Sequence, residues 1–333
     1  MTWFKFLLLG LLTAVLFVCN ILFGAVHIDA SQVMDIIAGH GVEDDPFRFI
    51  ILESRLPQAI TALLAGAALG VCGLLLQTAF RNPLAGPSVL GISSGASLGV
   101  ALVMLFMGGQ IAIAGYEIAG NAAVIAGALI GSLSIMALLM FFSLRLRSEL
   151  MLLVVGMLTG YLTSSVVTLL SSLSTAQGVQ GYVMWGMGTF GSVSSARIPV
   201  FSLLIVIGLL FSVLLAKPLN LLLLGDNYAR NLGVRVHRVR NILLLVTGVL
   251  TAIVTAYCGP VAFIGLAMPH VARLIMRTDN HWVLIPATML CGAAVALGCN
   301  VLSVMPESTV IPVNALTPIV GVPVILYVIF RRR

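Results

Sequence analysis

The segment LGDNYARNLGVRVHRVR, from Leu224 to Arg240, is the longest polar stretch in the second half of an otherwise apolar chain. Asp226 is a good N-cap residue for a short helix from Asn227 to Leu232, and glycine, here Gly233, commonly follows a helix end. The remaining residues lead into the next apolar run. The sequence therefore predicts a short capped helical turn between two long apolar segments.

The charge of this segment allows two interpretations. It carries four arginines, at positions 230, 235, 238 and 240, against one acid, and membrane proteins keep such an excess on the cytoplasmic side. Charge alone fits a solvated loop equally well. A loop that only tethers two helices, however, needs neither a capped helix nor exposed apolar side chains such as Tyr228 and Leu232, one turn apart. We therefore predict a docking surface for a cytoplasmic partner.

The composition indicates a polytopic membrane protein. Of 333 residues, 60% are hydrophobic and 8% charged, and the mean hydropathy of +1.15 is far above that of soluble domains. Apolar runs long enough to span a bilayer predict ten transmembrane helices, at Trp3–Val26, Leu56–Phe80, Val89–Met107, Ile118–Leu144, Leu150–Leu173, Ile198–Ala216, Asn241–Cys258, Pro260–Met276, Trp282–Val304 and Pro312–Phe330. The first run is too long for a signal peptide, and we expect it to stay in the mature protein.

We expect a single all-α transmembrane domain over residues 1–333. Its predicted parts are the first helix (1–26), an external segment (27–54), helices two to six (55–216), a cytoplasmic loop (217–240) and helices seven to ten (241–333). The external segment includes a short amphipathic stretch, Ala30 to Ile37. In the second helix, Gly66, Gly70 and Gly73 favour close helix packing.

Ten spans place both termini on one side, and the charges then divide unequally. That side holds fourteen lysines and arginines against three acids, whereas the other holds three arginines against eight acids. Positive residues favour the cytoplasmic side, so both termini are predicted to be cytoplasmic. The basic balance reports topology, and we expect membrane lipid around the chain and no nucleic-acid partner.

The fifth run carries a stripe of small and polar residues. At about 100° per residue, one face holds Gly156, Thr159, Gly160, Thr163, Ser164 and Ser171, whereas leucines and valines occupy the opposite face. In a bilayer such a stripe is either a tight helix contact or the wall of a pathway. Its length, and the Gly-rich aromatic segment that follows, favour the pathway.

Enzyme chemistry has no candidates in the sequence. There is no phosphate-binding loop, no Ser-His-Asp order and no metal-ligand spacing, and the five cysteines fall within or at the ends of apolar runs, where they indicate packing. Ionisable groups are almost absent from the spans. His270 is best explained as a hydrogen-bonded structural residue, and a proton relay would need more such groups.

Two short stretches are similar in the two halves of the chain. GPSVLGI begins at Gly86 and GPVAFIGL begins at Gly259. If each half has five helices, an odd number, the halves lie in opposite orientations. The repeat therefore predicts the inverted architecture of many transporters.

The chain resembles the FecCD family of ABC importer permeases, which move ferric siderophores, haem or cobalamin. The resemblance covers nearly the whole chain and rests on RLPQ at Arg55, GAALGVCGLLLQ at Gly66, RNPLAGPSVLGISSGA at Arg81, GDNYARNLG at Gly225, GPVAFIGLAMPHVAR at Gly259 and IPVNALTPIVGVPV at Ile311. It implies a type II importer permease with two inverted five-helix halves, located in the bacterial inner membrane.

The resemblance also implies partners and site residues. The partners are a second copy of the chain, two ATPase subunits that use the ATP, and a periplasmic or lipid-anchored substrate-binding protein; no covalent cofactor or metal is implied. ATPase coupling falls on Gly225, Asp226, Ala229, Arg230, Leu232 and Gly233. The translocation pathway falls on Gly156, Thr159, Gly160, Thr163 and Ser164, and the cytoplasmic gate on Ser148, Glu149 and Leu150.

Docking of the binding protein and the identity of the cargo stay open. Of the arginines that the cobalamin permeases of the family use for docking, Arg55 alone has a match, with Gln58 and Ser303 at the other positions. The function predicted is permeation of an iron complex, a ferric siderophore or haem. The alternatives are a corrinoid importer of the same family and, from another class, an ion-coupled secondary transporter.

Overall fold

The computed structural model describes residues 2–39, 46–113, 116–146, 149–305 and 310–331. Within these ranges the predicted helical class is confirmed, with the addition of one antiparallel hairpin, β1 (Gln110–Ile113) and β2 (Tyr116–Ala119). The α-helices are α1 (Thr2–Leu22), α2 (Ala30–Ile37), α3 (Pro46–Phe49), α4 (Leu56–Ala79), α5 (Ile92–Ala101), α6 (Asn121–Arg145), α7 (Glu149–Leu173), α8 (Ala176–Gly186), α9 (Ile198–Leu214), α10 (Ala216–Leu223), α11 (Asp226–Asn231), α12 (Val236–Cys258), α13 (Ile264–Met276), α14 (His281–Val304) and α15 (Val313–Arg331).

Each of the ten predicted apolar runs contains most of one α-helix. Among the described residues, seven helical segments are long and apolar enough to cross a membrane, and three apolar helices are shorter, Ile92–Phe106, Ile264–Met276 and Val313–Val328. The shorter helices leave the exact count of ten crossings a prediction.

Three helices begin later than the hydropathy predicted. Gly91 has a left-handed backbone with φ of 75° and Phe263 one with φ of 65°, and these residues immediately precede α5 and α13. The residues before them, with Gly-Pro at 86–87 and 259–260, are apolar but not helical. Ile118 and Ala119, predicted as the start of a helix, instead belong to strand β2 of the hairpin. Hydropathy detects apolar residues, but Gly and Pro set the helix ends.

Helix α4 lies at the centre of the molecule and packs against α14, α13, α12 and α9. The glycines predicted to allow close packing do so. A Cβ atom on Gly66 would overlap the carbonyl of Gly292 in α14, and one on Gly73 would overlap the carbonyl of Gly265 in α13. Backbone contact of this kind replaces the hydrophobic effect as the source of helix association in lipid.

Helix α4 also defines the two ends of the molecule. Its 24 residues span roughly 36 Å at about 1.5 Å per residue. Arg55, just before the helix, marks one end, called here the Arg55 end. Arg81, just after it, contacts Asp226 and marks the other, called here the Asp226 end. Lys5, near the start of α1, donates to the carbonyl of Ile275 at 2.7 Å, so α1 begins where α13 finishes.

The two halves of the chain are arranged as an inverted repeat requires. Helix α4 finishes at the Asp226 end. Its counterpart in the second half, α12, begins at that end, since Arg240 in its first turns binds Asp226. Each is followed by a Gly-Pro connection and a left-handed residue, Gly91 or Phe263, before a shorter helix begins. The similarity of GPSVLGI and GPVAFIGL therefore reflects matching structures of opposite orientation.

The predicted amphipathic stretch, Ala30 to Ile37, forms helix α2. Its apolar residues Val33 and Ile36 are buried and pack in a cluster with Ile21 and Ile51. This satellite cluster covers the Arg55 end of α1 and α4.

Candidate functional site

The polar segment forms a short helix, α11, bounded by two glycines. Gly225 has a φ of 105° and Gly233 a φ of 85°, in the left-handed half of backbone space that glycine adopts readily. Gly233 follows the helix as predicted. The prediction that Asp226 is the N-cap is wrong by one residue, because Gly225 takes that position and Asp226 is the first helical residue. Residues 225–233 are called the docking turn below.

The Asp226 carboxylate binds two arginines instead of capping the helix. Nη2 of Arg240 donates to both carboxylate oxygens, at 3.0 and 2.9 Å. Nη2 of Arg81 contacts the same carboxylate. The side chain of Arg240 is 12% exposed and that of Asp226 is 20% exposed. A charge-assisted pair with this geometry and burial is stronger than a surface ion pair.

The docking turn presents an apolar face to its surroundings, as predicted. Tyr228 is 59% exposed and Leu232 is 53% exposed, and Arg230 is also exposed. Ala229 differs from the prediction that it contacts the ATPase, because it is fully buried and belongs to the main apolar cluster. Of the residues predicted for coupling, Ala229 therefore supports the turn from behind and offers no surface to a partner.

The stripe on α7 is divided between packing and a groove. Gly156 packs against the backbone at Leu90, where a Cβ would lie 3.0 Å from the Leu90 Cα atom. Thr163 is 4% exposed and its hydroxyl donates to the carbonyl of Gly160 at 2.8 Å. Thr159 is half-buried, and Ser164 is exposed. Close packing thus accounts for part of the stripe, and its role as a pathway wall stays a prediction.

Two adjoining cavities lie along this stripe. The larger, about 350 Å³, is lined by Ser88, Val89, Ser94, Gly156, Met157, Gly160, Tyr161 and Ser164. The smaller, about 190 Å³, is lined by Ser94, Ser97, Thr163, Ser164, Val167, Thr168 and Tyr182. Ser94 and Ser164 line both cavities. Together they form a groove between α5 and α7 whose polar groups are hydroxyls without formal charge.

Serines of α5 complete the groove and were not among the predicted pathway residues. Ser94 and Ser97 lie in the segment SSGAS, which begins two residues after the left-handed Gly91. The signal was present in the sequence as a run of small hydroxyl residues inside the RNPLAGPSVLGISSGA motif. Only the packing of α5 on α7 shows that these serines face the stripe.

The predicted gate lies at the start of α7. Ser148 falls outside the described residues, and Glu149 begins the helix. Leu150 is 66% exposed. The gate role of these three residues stays a prediction.

Arg55, predicted to dock a binding protein, is instead buried in the structure. It is 5% exposed, and its guanidinium donates to the carbonyls of Ile21 at 2.8 Å and Leu22 at 2.7 Å and to that of Val26. Ile21 and Leu22 are in the last turn of α1, whose carbonyls have no intrahelical donor, and Val26 follows the helix. Arg55 therefore joins α1 to α4 and presents no cation to a partner in this structure.

The two neighbours of Arg55 in the predicted docking pattern also point into the protein. Gln58 donates to the side-chain oxygen of Asn300 at 2.9 Å, and Asn300 donates to that of Asn20 at 2.6 Å. Ser303 is 3% exposed and donates to the carbonyl of Ile311. These side chains tie α1, α4 and α14 together at the Arg55 end.

His270 is a hydrogen-bonded structural residue, as predicted. Its Nε2 atom lies 2.9 Å from the carbonyl oxygen of Pro83, and the ring is 4% exposed. In the part of the chain that the structure describes, no three His, Cys, Asp or Glu side chains come close enough together to hold a metal ion.

Comparison with known proteins connects this geometry to a family. Residues 12–331 match the model of the FecCD transport family. The vitamin B12 import permease BtuC of Klebsiella pneumoniae is 34% identical over 287 residues, which cover 86% of this chain and 84% of that protein. The hemin transport permease HmuU of Yersinia pestis is 35% identical over 295 residues, covering 87% and 86%.

A solved structure gives the same result. An ABC transporter of metal-chelate type, in an inward-facing conformation, shares 28% identity with a TM-score of 0.84 over 98% of both chains. These matches favour the ABC importer over the ion-coupled secondary transporter. The chain belongs to the FecCD transport family and is a multi-pass permease subunit of an ABC importer, which works with a separate ATPase subunit and a substrate-binding protein.

Proposed function

We propose that this permease moves an iron complex, a ferric siderophore or haem, and that a corrinoid is the alternative cargo. Two observations carry the proposal. The docking turn, an ordered helix at one end of the molecule with Tyr228 and Leu232 exposed, supports coupling to an ATPase, and the similarity to the hemin permease HmuU supports an iron complex as cargo. An ATPase subunit that covers these side chains would displace a rigid element of the permease. Hydrolysis outside the membrane would then drive movement within it.

The groove between α5 and α7 supports a cargo pathway. Its lining combines serine and threonine hydroxyls with Tyr182 and a few apolar side chains. Hydroxyls form hydrogen bonds with many acceptors and donors, and without a fixed charge they do not hold an ionised cargo tightly. Such a wall suits the passage of a bulky chelate delivered by a binding protein. Of the relatives described above, BtuC is named as a permease for vitamin B12 and HmuU as a permease for hemin.

The permease functions in this proposal as a homodimer with two ATPase subunits. Each groove is open on one side, where the groove-lining residues Met157 and Tyr161 of α7 are exposed. A second copy related by a two-fold axis would cover part of this surface and place two hydroxyl-lined grooves opposite each other. The pathway would then run along the axis.

The Asp226 end faces the cytoplasm in this proposal. Arg230, Arg235 and Arg238 are exposed there, and a cation excess of this kind favours the cytoplasmic side of the bacterial inner membrane. Both chain termini would be cytoplasmic. Substituted cysteines at Tyr228 and at Val26 test the orientation, because a thiol reagent that cannot cross the membrane should label only the second in intact cells.

Reconstitution tests the cargo directly. The permease, its ATPase and its binding protein are incorporated into liposomes, and uptake of haem, a ferric siderophore and cobalamin is measured in parallel with and without ATP. We expect ATP-dependent uptake of haem or the ferric siderophore that requires the binding protein. Uptake of cobalamin alone would assign the corrinoid function, and uptake driven by an ion gradient without ATP would contradict both.

A further inference from the structure

The last turn of α4 and the two residues after it, together residues 77 to 81, bond to several other helices. The side-chain nitrogen of Gln77 donates to the carbonyl of Leu266 in α13 at 3.1 Å. Its side-chain oxygen accepts from Nη1 of Arg273, also in α13, at 2.7 Å. Both polar atoms of one amide therefore tie α4 to the same neighbouring helix.

Thr78, the next residue, connects α4 to two more helices. Its hydroxyl lies 2.9 Å from Nε2 of His281, the first residue of α14. Nδ1 of the same imidazole lies 2.8 Å from the side-chain oxygen of Asn220 in α10. The imidazole thus bridges α4 and α10.

The remaining contacts lead to the docking turn. Nε of Arg240 donates to the carbonyl of Ala79 at 3.1 Å, while its Nη2 binds both oxygens of Asp226. One guanidinium therefore touches α4 and the docking turn at once. Arg81 contacts Asp226 from the other side and donates to the carbonyl of Leu222 at 3.4 Å. The α4 end is joined to the turn through both arginines.

The backbone of the docking turn does not fix its orientation in the same way. Glycines lie at both of its ends, and a Cβ atom on Gly225 or Gly233 would meet no other atom within 4 Å. The glycines are thus required by their positive φ values and not by close packing. Glycine leaves the chain more freedom than any other residue, so side-chain contacts must hold the turn against the helices.

We propose that Asp226 is a positioning residue that joins the docking turn to the last turn of α4, so that the ATPase subunit moves α4 and α12 when it moves the turn. The inference rests on the proposed role of the turn as the ATPase docking surface. Since the last turn of α4 also holds α13, α14 and α10, a displacement that enters through Asp226 reaches helices of both halves. Tyr228 and Leu232 bind the ATPase subunit, and Asp226 transmits the movement of the docking turn to α4 and α12.

Communication across the permease provides the test, and it requires no knowledge of the cargo. The purified permease is placed in lipid nanodiscs with its ATPase, and ATP hydrolysis is measured with and without the cargo-free binding protein. The readout is the fold-change in hydrolysis that the binding protein causes, normalised to the amount of ATPase bound. A purely structural loss would lower the amount of assembled complex and leave this ratio unchanged.

The central variant is Asp226→Asn, which keeps the shape of the side chain and removes its charge. We expect unchanged affinity for the ATPase and a fold-change that falls to about one. Asp226→Glu, which keeps the carboxylate, should recover part of the parental ratio. Asp279→Asn is the matched control, since Asp279 is a 77% exposed acid whose nearest arginine atom, Nε of Arg273, is 3.7 Å away. It should behave as the parent does.

The variants separate this inference from the proposed function of the turn. Leu232→Asp should abolish ATPase binding, and normal binding by that variant would overturn the docking function itself. If Leu232→Asp fails to bind while Asp226→Asn keeps the parental ratio, only the positioning role is overturned. Should Asp226→Asn fail to fold, the double variant Arg81→Gln/Arg240→Gln replaces it, because it removes both arginines that bind the Asp226 carboxylate and leaves the carboxylate in place. A parental ratio in that variant would equally overturn the inference.

Discussion

Substitutions at two positions of the docking turn, three residues apart, should affect different properties, one the binding of the ATPase and the other the stability of the turn. The contrast tests which face of the turn is exposed and which is buried. Leu232 is 53% exposed, whereas Ala229 is fully buried. We expect Leu232→Asp to leave the permease folded and to prevent ATPase binding. Ala229→Arg should destabilise the turn itself before any partner arrives.

The magnitudes follow from the two environments. A surface substitution such as Leu232→Asp changes the stability of the permease by about 0.5 kcal/mol or less. At the interface it removes about half the burial energy of a leucine, ~1 kcal/mol, and leaves a carboxylate unpaired at a cost of at least ~2 kcal/mol. The total of ~3 kcal/mol corresponds to a binding constant weaker by a factor of about 100 or more. At Ala229 an arginine has no space, and overpacking alone costs ~1 to 3 kcal/mol.

The assay combines binding and thermal unfolding of the permease in nanodiscs. Fluorescently labelled ATPase is titrated against each variant, and the unfolding midpoint is measured on the same preparation. Leu84→Asp is the matched control, because Leu84 is 49% exposed at the same end but lies outside the docking turn. If Leu232→Asp binds the ATPase within threefold of the parent, or if Ala229→Arg leaves the unfolding midpoint unchanged, the assignment of these two faces is wrong.

Three further predictions concern the rest of the structure. Gly73→Ala should lower the unfolding midpoint in nanodiscs by the equivalent of ~3 kcal/mol or more, because the new Cβ would overlap the carbonyl of Gly265. An unchanged midpoint would show that α4 and α13 can separate freely. Arg55→Gln should cost about 2 to 4 kcal/mol of stability by leaving carbonyls of α1 without a donor, with binding-protein affinity unchanged; lost affinity in a fully stable variant would restore the docking role. With the native cysteines replaced, Ser164→Cys should react with a water-soluble maleimide at a rate that changes with nucleotide, whereas Leu162→Cys should not; equal rates in every state would leave the groove a packing defect.

The positions of the helices could be predicted from the sequence because a helix that crosses a bilayer needs a long run of apolar residues. The same measure failed at 260–263, where Gly259 and Pro260 keep an apolar segment from becoming helical. It also missed the hairpin at 116–119. Pairing of two short strands depends on the partner strand, and hydropathy along the chain carries no information about it.

The docking turn was predicted better than its supports. Glycine at 233 and apolar side chains at 228 and 232 are local features, and the structure retains them. The burial of Ala229 could not be read from the sequence, because it depends on packing within the main apolar cluster. The partners of Asp226 were hidden for the same reason, since Arg81 lies 145 residues away along the chain.

The observed contacts of Arg55 and Arg240 have one physical cause. Both lie near a helix end where backbone carbonyls have no intrahelical donor, and both guanidiniums donate to such carbonyls, of Ile21 and Ala79 respectively. An arginine can satisfy several acceptors at once because its donors point in a fixed fork. A motif arginine beside a transmembrane helix end is therefore as well suited to holding two helices together as to meeting a partner. At Arg55 both terminal nitrogens donate to carbonyls at the end of α1. At Arg240, Nε donates to the carbonyl of Ala79 and Nη2 remains to bind Asp226. The bond that holds α12 against α4 is therefore also part of the connection to the docking turn.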